Sequence, residues 1–581
     1  MAIATPERDT VEAEPVTGWP SAGRRAGALA LLIPLALVIV AGTLRFYRLA
    51  EPQRCYFDET YYYYNARDYL DQGVERAFAV HPPVGKWMIA GGIELFGVPK
   101  GSPIDRAVTK DPGGCLQRQQ HENPPARARE AAESFARRFS SALVGTLWVG
   151  VAYLAGLRLF RRRGVAALAA LLLAVDGLAF TMSRIAMLDV FVAFWVLVAF
   201  WLLLIDRDRQ WAGVPEAPIT DEQPPAASGP SGTLRVDRGC GRSAPRLAAA
   251  APFSRRVLMF LRNAVRRDAL RTNVMGFSPL PRHPQSARWL AGLALGLALG
   301  TKWSGLLAIA AAVLFVVTSE LAWRRRMVGR SWVRPGRIVT SAALTLVLVP
   351  AAVYLLSYAG WFANFEHTLP GRAPCPAQGC PTSLPGRMER MAKGWAGEQA
   401  SIFRFHRDLT AEHPYRASAT TWPLMARPVA YYYEDCTKAK TDKGERCAVA
   451  KGDVAEILGM GNPAIWWMAL PAYLILGWLA VRRHDWAAWT ILAFLAVHYF
   501  PWLVSPRSVF FFYATPLVPF LCYALAYAAT QLGSHRRLRW VPSAVAAIAL
   551  VSFLFWYPLL AGLEIPRAAW DLRIWLRPGW V

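Results

Sequence analysis

The residues best suited to catalysis begin just after the first apolar block, where Cys55-Tyr-Phe-Asp58-Glu59-Thr-Tyr61-Tyr62-Tyr63-Tyr64-Asn65-Ala-Arg67-Asp68 sets two carboxylates side by side. Adjacent carboxylates at a membrane surface repel each other, so at least one needs a raised proton affinity or a cationic partner, and such a pair suits a general base. Taken alone, the stretch also reads as a solvated acidic loop opening an interfacial helix whose tyrosines form an aromatic belt. Further along comes His81-Pro82-Pro83-Val84-Gly85-Lys86-Trp87. Its two prolines stiffen a turn where the chain re-approaches the membrane and place a histidine and a lysine at the turn's ends.

Membrane helices must hold these groups. Of the 581 residues 54% are hydrophobic and 18% charged, with a mean hydropathy of +0.23, against roughly 25% charged in a soluble domain. Because the apolar residues gather into blocks of bilayer length, the composition excludes a disordered chain, a small disulfide scaffold and an ordinary cytosolic enzyme. It predicts an all-α polytopic membrane protein with helices near 27–44, 139–157, 165–181, 187–205, 288–300, 304–323, 338–357, 463–481, 486–504, 508–530 and 541–560, about eleven spans. The first block follows Arg24-Arg25 and runs straight into the polar aromatic stretch, so it reads as an uncleaved helix and not a signal peptide. Block 288–300 is short for a span unless Arg288 snorkels; merging it with the next block into one hairpin would lower the count to nine or ten.

The net charge of +25 comes from 65 Lys and Arg against 40 Asp and Glu. Without a basic recognition helix or zinc-finger spacing it does not point to nucleic acid; arginine-rich loops set orientation instead. With a cytoplasmic N-terminus the inner loops hold Arg158 with Arg161-Arg162-Arg163, the 235–282 stretch, Arg324-Arg325-Arg326, Arg482-Arg483 and Arg536-Arg537, as the positive-inside rule requires. The expected organisation is a cytoplasmic tail at 1–26, helices over 27–205 with a first outer loop at 49–137, and an irregular Arg-rich cytoplasmic insertion at 206–287. Helices at 288–357, a second outer loop at 358–462, helices at 463–560 and an outer tail at 561–581 follow. Six cysteines, Cys55, Cys115, Cys375, Cys380, Cys436 and Cys447, then lie outside. They suit up to three disulfides of unspecified pairing in an oxidising compartment, with Cys240 inside and Cys522 in a span.

The acidic pair after the first helix, followed by HPPxGK, resembles the protein O-mannosyltransferases, polyprenyl-phosphate-sugar-dependent membrane enzymes of the GT-C glycosyltransferase fold. The resemblance runs along most of the chain. It includes Arg137-Arg138-Phe-Ser-Ser with Gly145, Ser183-Arg184-Ile-Ala-Met-Leu188-Asp189, Thr301-Lys302-Trp303, His413-Pro414-Tyr415 with Ser418 and Trp422-Pro423, Gly461-Asn462-Pro463 with Trp466-Trp467, and Arg507 with Phe510 to Tyr513 and Pro516. The domain that eukaryotic members carry between helices 7 and 8 is absent. That departure and the arginine-rich composition resemble an actinobacterial member.

The resemblance implies transfer of one mannose, with inversion, from polyprenyl-phosphate mannose to Ser/Thr hydroxyls of secreted or membrane proteins at the outer face of the plasma membrane. Asp58 would accept the hydroxyl proton and Glu59 would orient acceptor or sugar. Arg138 and Arg507 first, then Lys86 and Lys302, would meet the growing charge on the leaving phosphate, since a guanidinium holds phosphate oxygens bidentately. Asp189 would pair with one of these cations or touch a sugar hydroxyl, His81 belongs to the donor side, and His413, Tyr415 and Trp87 are acceptor or outer-loop candidates. All of them fall in expected outer loops or outer helix ends, where ionisable groups usually face a cavity or one another. No cofactor is firmly implied; a divalent cation at the phosphate stays open. Expected partners are the lipid-linked donor, Ser/Thr-bearing secretory polypeptides and the protein secretion channel.

Each residue taken singly has a plainer explanation. Arg138 suits a snorkelling anchor, Asp189 a helix N-terminal anion, and His81 and His413 loop hydrogen bonds. A GT-C enzyme acting on a lipid or cell-wall glycan keeps the donor and changes the acceptor. A transporter or flippase would need internal repeats and mid-bilayer charges in broken helices, neither of which the sequence displays.

Overall fold

The computed structural model describes residues 24–97, 124–212, 285–328, 335–375, 380–410, 412–435 and 449–580. In chain order its main helices are α1 (Arg24–Phe46), α2 (Glu59–Gln72), α3 (Val84–Leu95), α4 (Pro124–Phe160), α5 (Arg163–Ala174), α6 (Gly177–Met182), α7 (Asp189–Trp211), α8 (Ser286–Thr301), α9 (Gly305–Val328), α10 (Gly336–Ser357), α11 (Leu384–Asp408), α12 (Pro463–Arg482), α13 (Trp486–Leu503), α14 (Val518–Leu532) and α15 (Val541–Ala561). Every apolar block is largely helical, because a backbone in hydrocarbon must satisfy its own N–H and C=O groups.

Among the described residues, eight helical stretches are long and apolar enough to cross a membrane, in α4, α7, α9, α10, α12, α13, Phe511–Leu532 ending in α14, and α15. The chain is a multi-pass membrane protein. Among the described residues, length and composition together support eight of the eleven expected spans. Helix α5 has 12 residues and α8 has 16, rising about 18 and 24 Å against ~30 Å of hydrocarbon, whereas α1 has 23. Helices α8 and α9 are separate, divided at Lys302, whose backbone is extended. Of the insertion expected at 206–287, residues 213–284 lie outside the described residues, as do Cys115, Cys240, Cys436 and Cys447.

Charges sort to the two ends of α7. At its C-terminal end Arg288 is buried, with Nε 2.8 Å from Asp206 and Nη2 3.2 Å from Glu320, so it does not snorkel to lengthen the short block it opens. Two carboxylates meet its charge, so it does not need water. Arg158 and Arg161 bond Asp208 beside it. The N-terminal end of α7, at Asp189, faces the side that carries the long loops. There α4, 37 residues long, is about 55 Å in extent, so its first turns outreach the apolar layer and carry Arg137 and Arg138.

The same side holds a buried junction. The Asp176 carboxylate caps α6 through Ala179 N–H and also accepts Asn462 N–H and Trp466 Nε1–H at 3.1 and 2.8 Å. Asn462 caps α12 and donates its side-chain amide to the Val175 and Ala549 carbonyls. A Cβ at Gly461 would stand 2.0 Å from Trp466 Nε1, so glycine is required there. Gly145 of α4 plays the same part against Ser183, whose Oγ would lie 2.0 Å from an added Cβ. One element departs from the all-helical expectation: β1 (Val429–Asp435), β2 (Asp453–Gly459) and β3 (Glu564–Pro566) form an antiparallel sheet in that order. Beyond it, Trp570 Nε1 donates to Glu456 at 2.6 Å and Trp580 Nε1 to the Met425 carbonyl at 2.8 Å. Cys375 bonds Cys380, Cys55 is also in a disulfide, and Cys522 is a buried thiol.

Candidate active site

The adjacent acids of the first loop separate in space. Phe57 has φ +56°, the left-handed region that a bulky residue enters only when its surroundings enforce it. Its ring is held edge-on by Tyr431, Phe512, His413 and Phe510 at 5.3 to 6.2 Å. Beyond that turn Glu59 points into the protein. It is fully buried, bonded to Arg138 at 2.9 and 3.1 Å, 3.5 Å from Arg137 Nε, and accepts the Ala186 N–H. Burial pushes its carboxyl up, but the two guanidiniums outweigh burial and hold it below the ordinary value.

Asp58 is different. It stands at the N-cap of α2 without capping it, and no donor among the described residues bonds its half-buried carboxylate. Burial raises it to about 6; the Lys302 ammonium opposes the rise and the Asp189 carboxylate adds to it. Asp189 and Lys302 themselves form a buried pair, Nζ to Oδ1 2.9 Å and to Oδ2 3.1 Å. The ammonium also lies 4.6 Å from the Tyr513 ring centre. Burial, Asp58, Asp189 and Tyr513 together push the Tyr62 phenol well above its ordinary value, so it stays a neutral donor beside the acids.

Arg507 completes the cluster. Its Nη2 donates to Tyr513 Oη at 2.7 Å, its Nη1 to His406 Nδ1 at 2.8 Å, and its Nε to the Ser508 carbonyl at 3.4 Å. It remains half-buried. His81 stacks on His406 with ring centres 5.1 Å apart. Its buried Nδ1 lacks a partner among the described residues, and burial beside Lys302 pushes the ring well below its ordinary value.

Two cations expected at the phosphate are spent elsewhere. Arg138 uses all three nitrogens, on Glu59 and on the carbonyls of Leu49, Ala50, Pro52 and Arg54. No N–H remains for a phosphate, so Arg138 ties the first loop to α4. Lys86 is sealed against Glu75 and the His81 carbonyl. Glu59, expected to orient acceptor or sugar, is likewise enclosed. What remains is one unbonded carboxylate, a second acid paired to a lysine, and an arginine with N–H groups to spare, an arrangement suited to moving a proton from a hydroxyl beside a developing oxyanion. Among the described residues no three His, Cys, Asp or Glu side chains gather as a metal site.

Two family models match the chain: "Dolichyl-phosphate-mannose-protein mannosyltransferase" over residues 35–114, 121–210 and 279–365, and "C-terminal four TMM region of protein-O-mannosyltransferase" over 391–580. The chain belongs to the protein O-mannosyltransferase family. It is similar to the polyprenol-phosphate-mannose–protein mannosyltransferases of Mycobacterium tuberculosis (29% identity, 97% of this chain and 94% of that one) and Mycolicibacterium smegmatis (28%, 97% and 96%). Its fold is similar to that of the S. cerevisiae protein O-mannosyltransferase Pmt1-Pmt2 complex bound to the sugar donor, with TM-score 0.64 and 14% identity over 95% of this chain and 93% of that one.

In this O-mannosyltransferase the outer-loop candidates lie at the rim. His413 is exposed, accepts the Tyr415 N–H at 3.1 Å and meets Phe57 and Phe510 edge-on. Trp87 packs edge-on against Tyr69 and lies outside the cluster. Sequence reasoning did not single out His406, Tyr62 or the strained Phe57. His406 is an isolated histidine on a charged helix of the second loop, and Tyr62 is one of four consecutive tyrosines; neither pattern carries a signal of its own.

Proposed function

We propose that the protein transfers one mannose from polyprenyl-phosphate mannose to Ser/Thr hydroxyls of secretory polypeptides, at the extracytoplasmic face of the plasma membrane. The arginine-rich short loops on the opposite side support that orientation. The observation that carries the mechanism is the division of labour between neighbours: Glu59 is consumed by Arg138, while Asp58 is unbonded beside the Asp189–Lys302 pair.

Asp58 accepts the acceptor hydroxyl proton as the oxygen forms its bond to the anomeric carbon from the face opposite the phosphate. The carbon–oxygen bond to the phosphate breaks, and the electron pair leaves on the polyprenyl phosphate. Lys302 and Arg507 meet that growing charge, more strongly in the transition state than before it. Asp189 holds Lys302 in place. Acceptors reach the site in extended form as they emerge from the secretion channel. The test is mannose transfer from synthetic polyprenyl-phosphate mannose to a Thr/Pro/Ala-rich peptide by purified protein in detergent. Wild type transfers, and Asp58→Asn folds normally and does not; near-normal turnover by Asp58→Asn removes it as the base.

A further inference from the structure

The second large loop brings Tyr431 and His413 against Phe57, and one further side chain that bonds Arg507 directly. That residue is His406, in the last turn of α11. Both its ring nitrogens are used: Nε2 lies 3.0 Å from the Val80 carbonyl and Nδ1 2.8 Å from Arg507 Nη1. A carbonyl only accepts and a guanidinium only donates. The two partners therefore assign a neutral imidazole with its proton on Nε2 and a lone pair on Nδ1 turned to Arg507.

The consequence lies in Arg507. Its guanidinium is pinned at three points, to His406, Tyr513 and the Ser508 carbonyl. Of its five N–H groups this leaves one on each terminal nitrogen. A long, flexible side chain is thus fixed before any ligand arrives, so less rotamer freedom is lost on binding. Around His406 stand His81, stacked on its face, the Trp303 ring at 6.0 Å, and Phe405.

We propose that His406 is a positioning residue for the phosphate end of the donor, acting through Arg507. It holds the guanidinium so that its two remaining N–H groups meet the phosphoryl oxygens. The inference rests on the function proposed above and adds to it a residue of the second loop. It also makes the docking of α11 a condition for tight donor binding.

Asparagine and glutamine separate this role from a structural one. An Asn carbonyl oxygen falls where Nδ1 was and can still accept from Arg507; a Gln amide reaches the Nε2 position and keeps only the bond to Val80. The measurements are donor KM and kcat for mannose transfer, and binding of polyprenyl monophosphate followed by thermal shift in detergent. We expect His406→Gln to weaken monophosphate binding and to lower kcat/KM for the donor about 10-fold, about 1.4 kcal/mol, with kcat falling as well as KM rising because Arg507 meets a charge that grows in the transition state, and His406→Asn to stay within about 2-fold of wild type in both. In an Arg507→Gln background, His406→Gln should add nothing, since the residue through which it acts is gone. Rescue by Gln and not by Asn, a full additional loss in the Arg507→Gln background, or no effect of any variant overturns the proposal. Wild type that binds monophosphate but transfers no mannose removes the proposed function while the positioning result still reads; wild type that transfers while all variants match it removes this inference alone.

Discussion

The acid limb of the pH profile tests the proposed base through its neighbours. Asp58 is raised to about 6 chiefly by burial, with Lys302 pulling it down and Asp189 pushing it up. A base works deprotonated, so kcat/KM should rise as pH increases through about 6 and level off above, and at pH 5 only about one tenth of the plateau remains. Asp189→Asn removes the charge that raises Asp58 and leaves Lys302 unneutralised, so both changes move the midpoint toward acid. A unit charge about 6 Å away at an effective dielectric of about 20 contributes about 2.8 kcal/mol, or about two pKa units. Partial exposure of Asp58 lowers this, and we expect a shift of about one unit. Lys302→Gln removes the opposing cation and should move the midpoint toward base by a similar amount. The assay is initial-rate transfer at subsaturating donor from pH 4.5 to 8, with the midpoint as the readout, because both variants also lower the rate itself. Midpoints that stay fixed in both variants, or move the other way, assign the limb to another group such as Glu75, which burial raises to about 7, and refute Asp58 as the titrating base.

Three further outcomes follow from the geometry. Arg138→Ala should destabilise the protein by about 3 kcal/mol, since it leaves buried Glu59 with only the longer Arg137 contact and the Ala186 N–H and removes the donor to four loop carbonyls; a melting temperature in detergent equal to wild type would contradict the buried pair. Lys86→Met should lower the melting temperature but leave donor KM within about 2-fold, because the ammonium is sealed against Glu75 and the His81 carbonyl; a donor KM raised tenfold would return Lys86 to the phosphate. Asn462→Ala removes the α12 cap and two buried side-chain bonds. It should cost about 2–3 kcal/mol by the same thermal measurement.

Much about this protein is local and was legible in its chain. Runs of apolar residues of bilayer length favour helices, and every block read from composition is largely helical, although block 165–181 is broken at Asp176 into two helices. Arginine distribution and the order of the acidic, HPPxGK, Lys302 and Arg507 segments are likewise properties of neighbours along the chain. Asp58, Asp189, Lys302, Arg507 and His81 do gather at one end of the helices.

Roles were another matter. Asp58 and Glu59 are equivalent in sequence, two carboxylates one peptide apart. The left-handed backbone at Phe57, and an arginine on a helix nearly eighty residues later, turn one inward to a buried ion pair and leave the other unbonded. Arg138 and Arg507 looked alike as phosphate ligands, yet the first has its nitrogens filled by carbonyls of the loop beneath it while the second keeps two N–H groups. His406 had no pattern to mark it, because its partners are Val80 and Arg507, 326 and 101 residues away. Composition and spacing specify which groups exist and that they lie at the ends of membrane helices. Which of them is free to react depends on hydrogen-bond saturation and burial, and those arise only when distant segments meet.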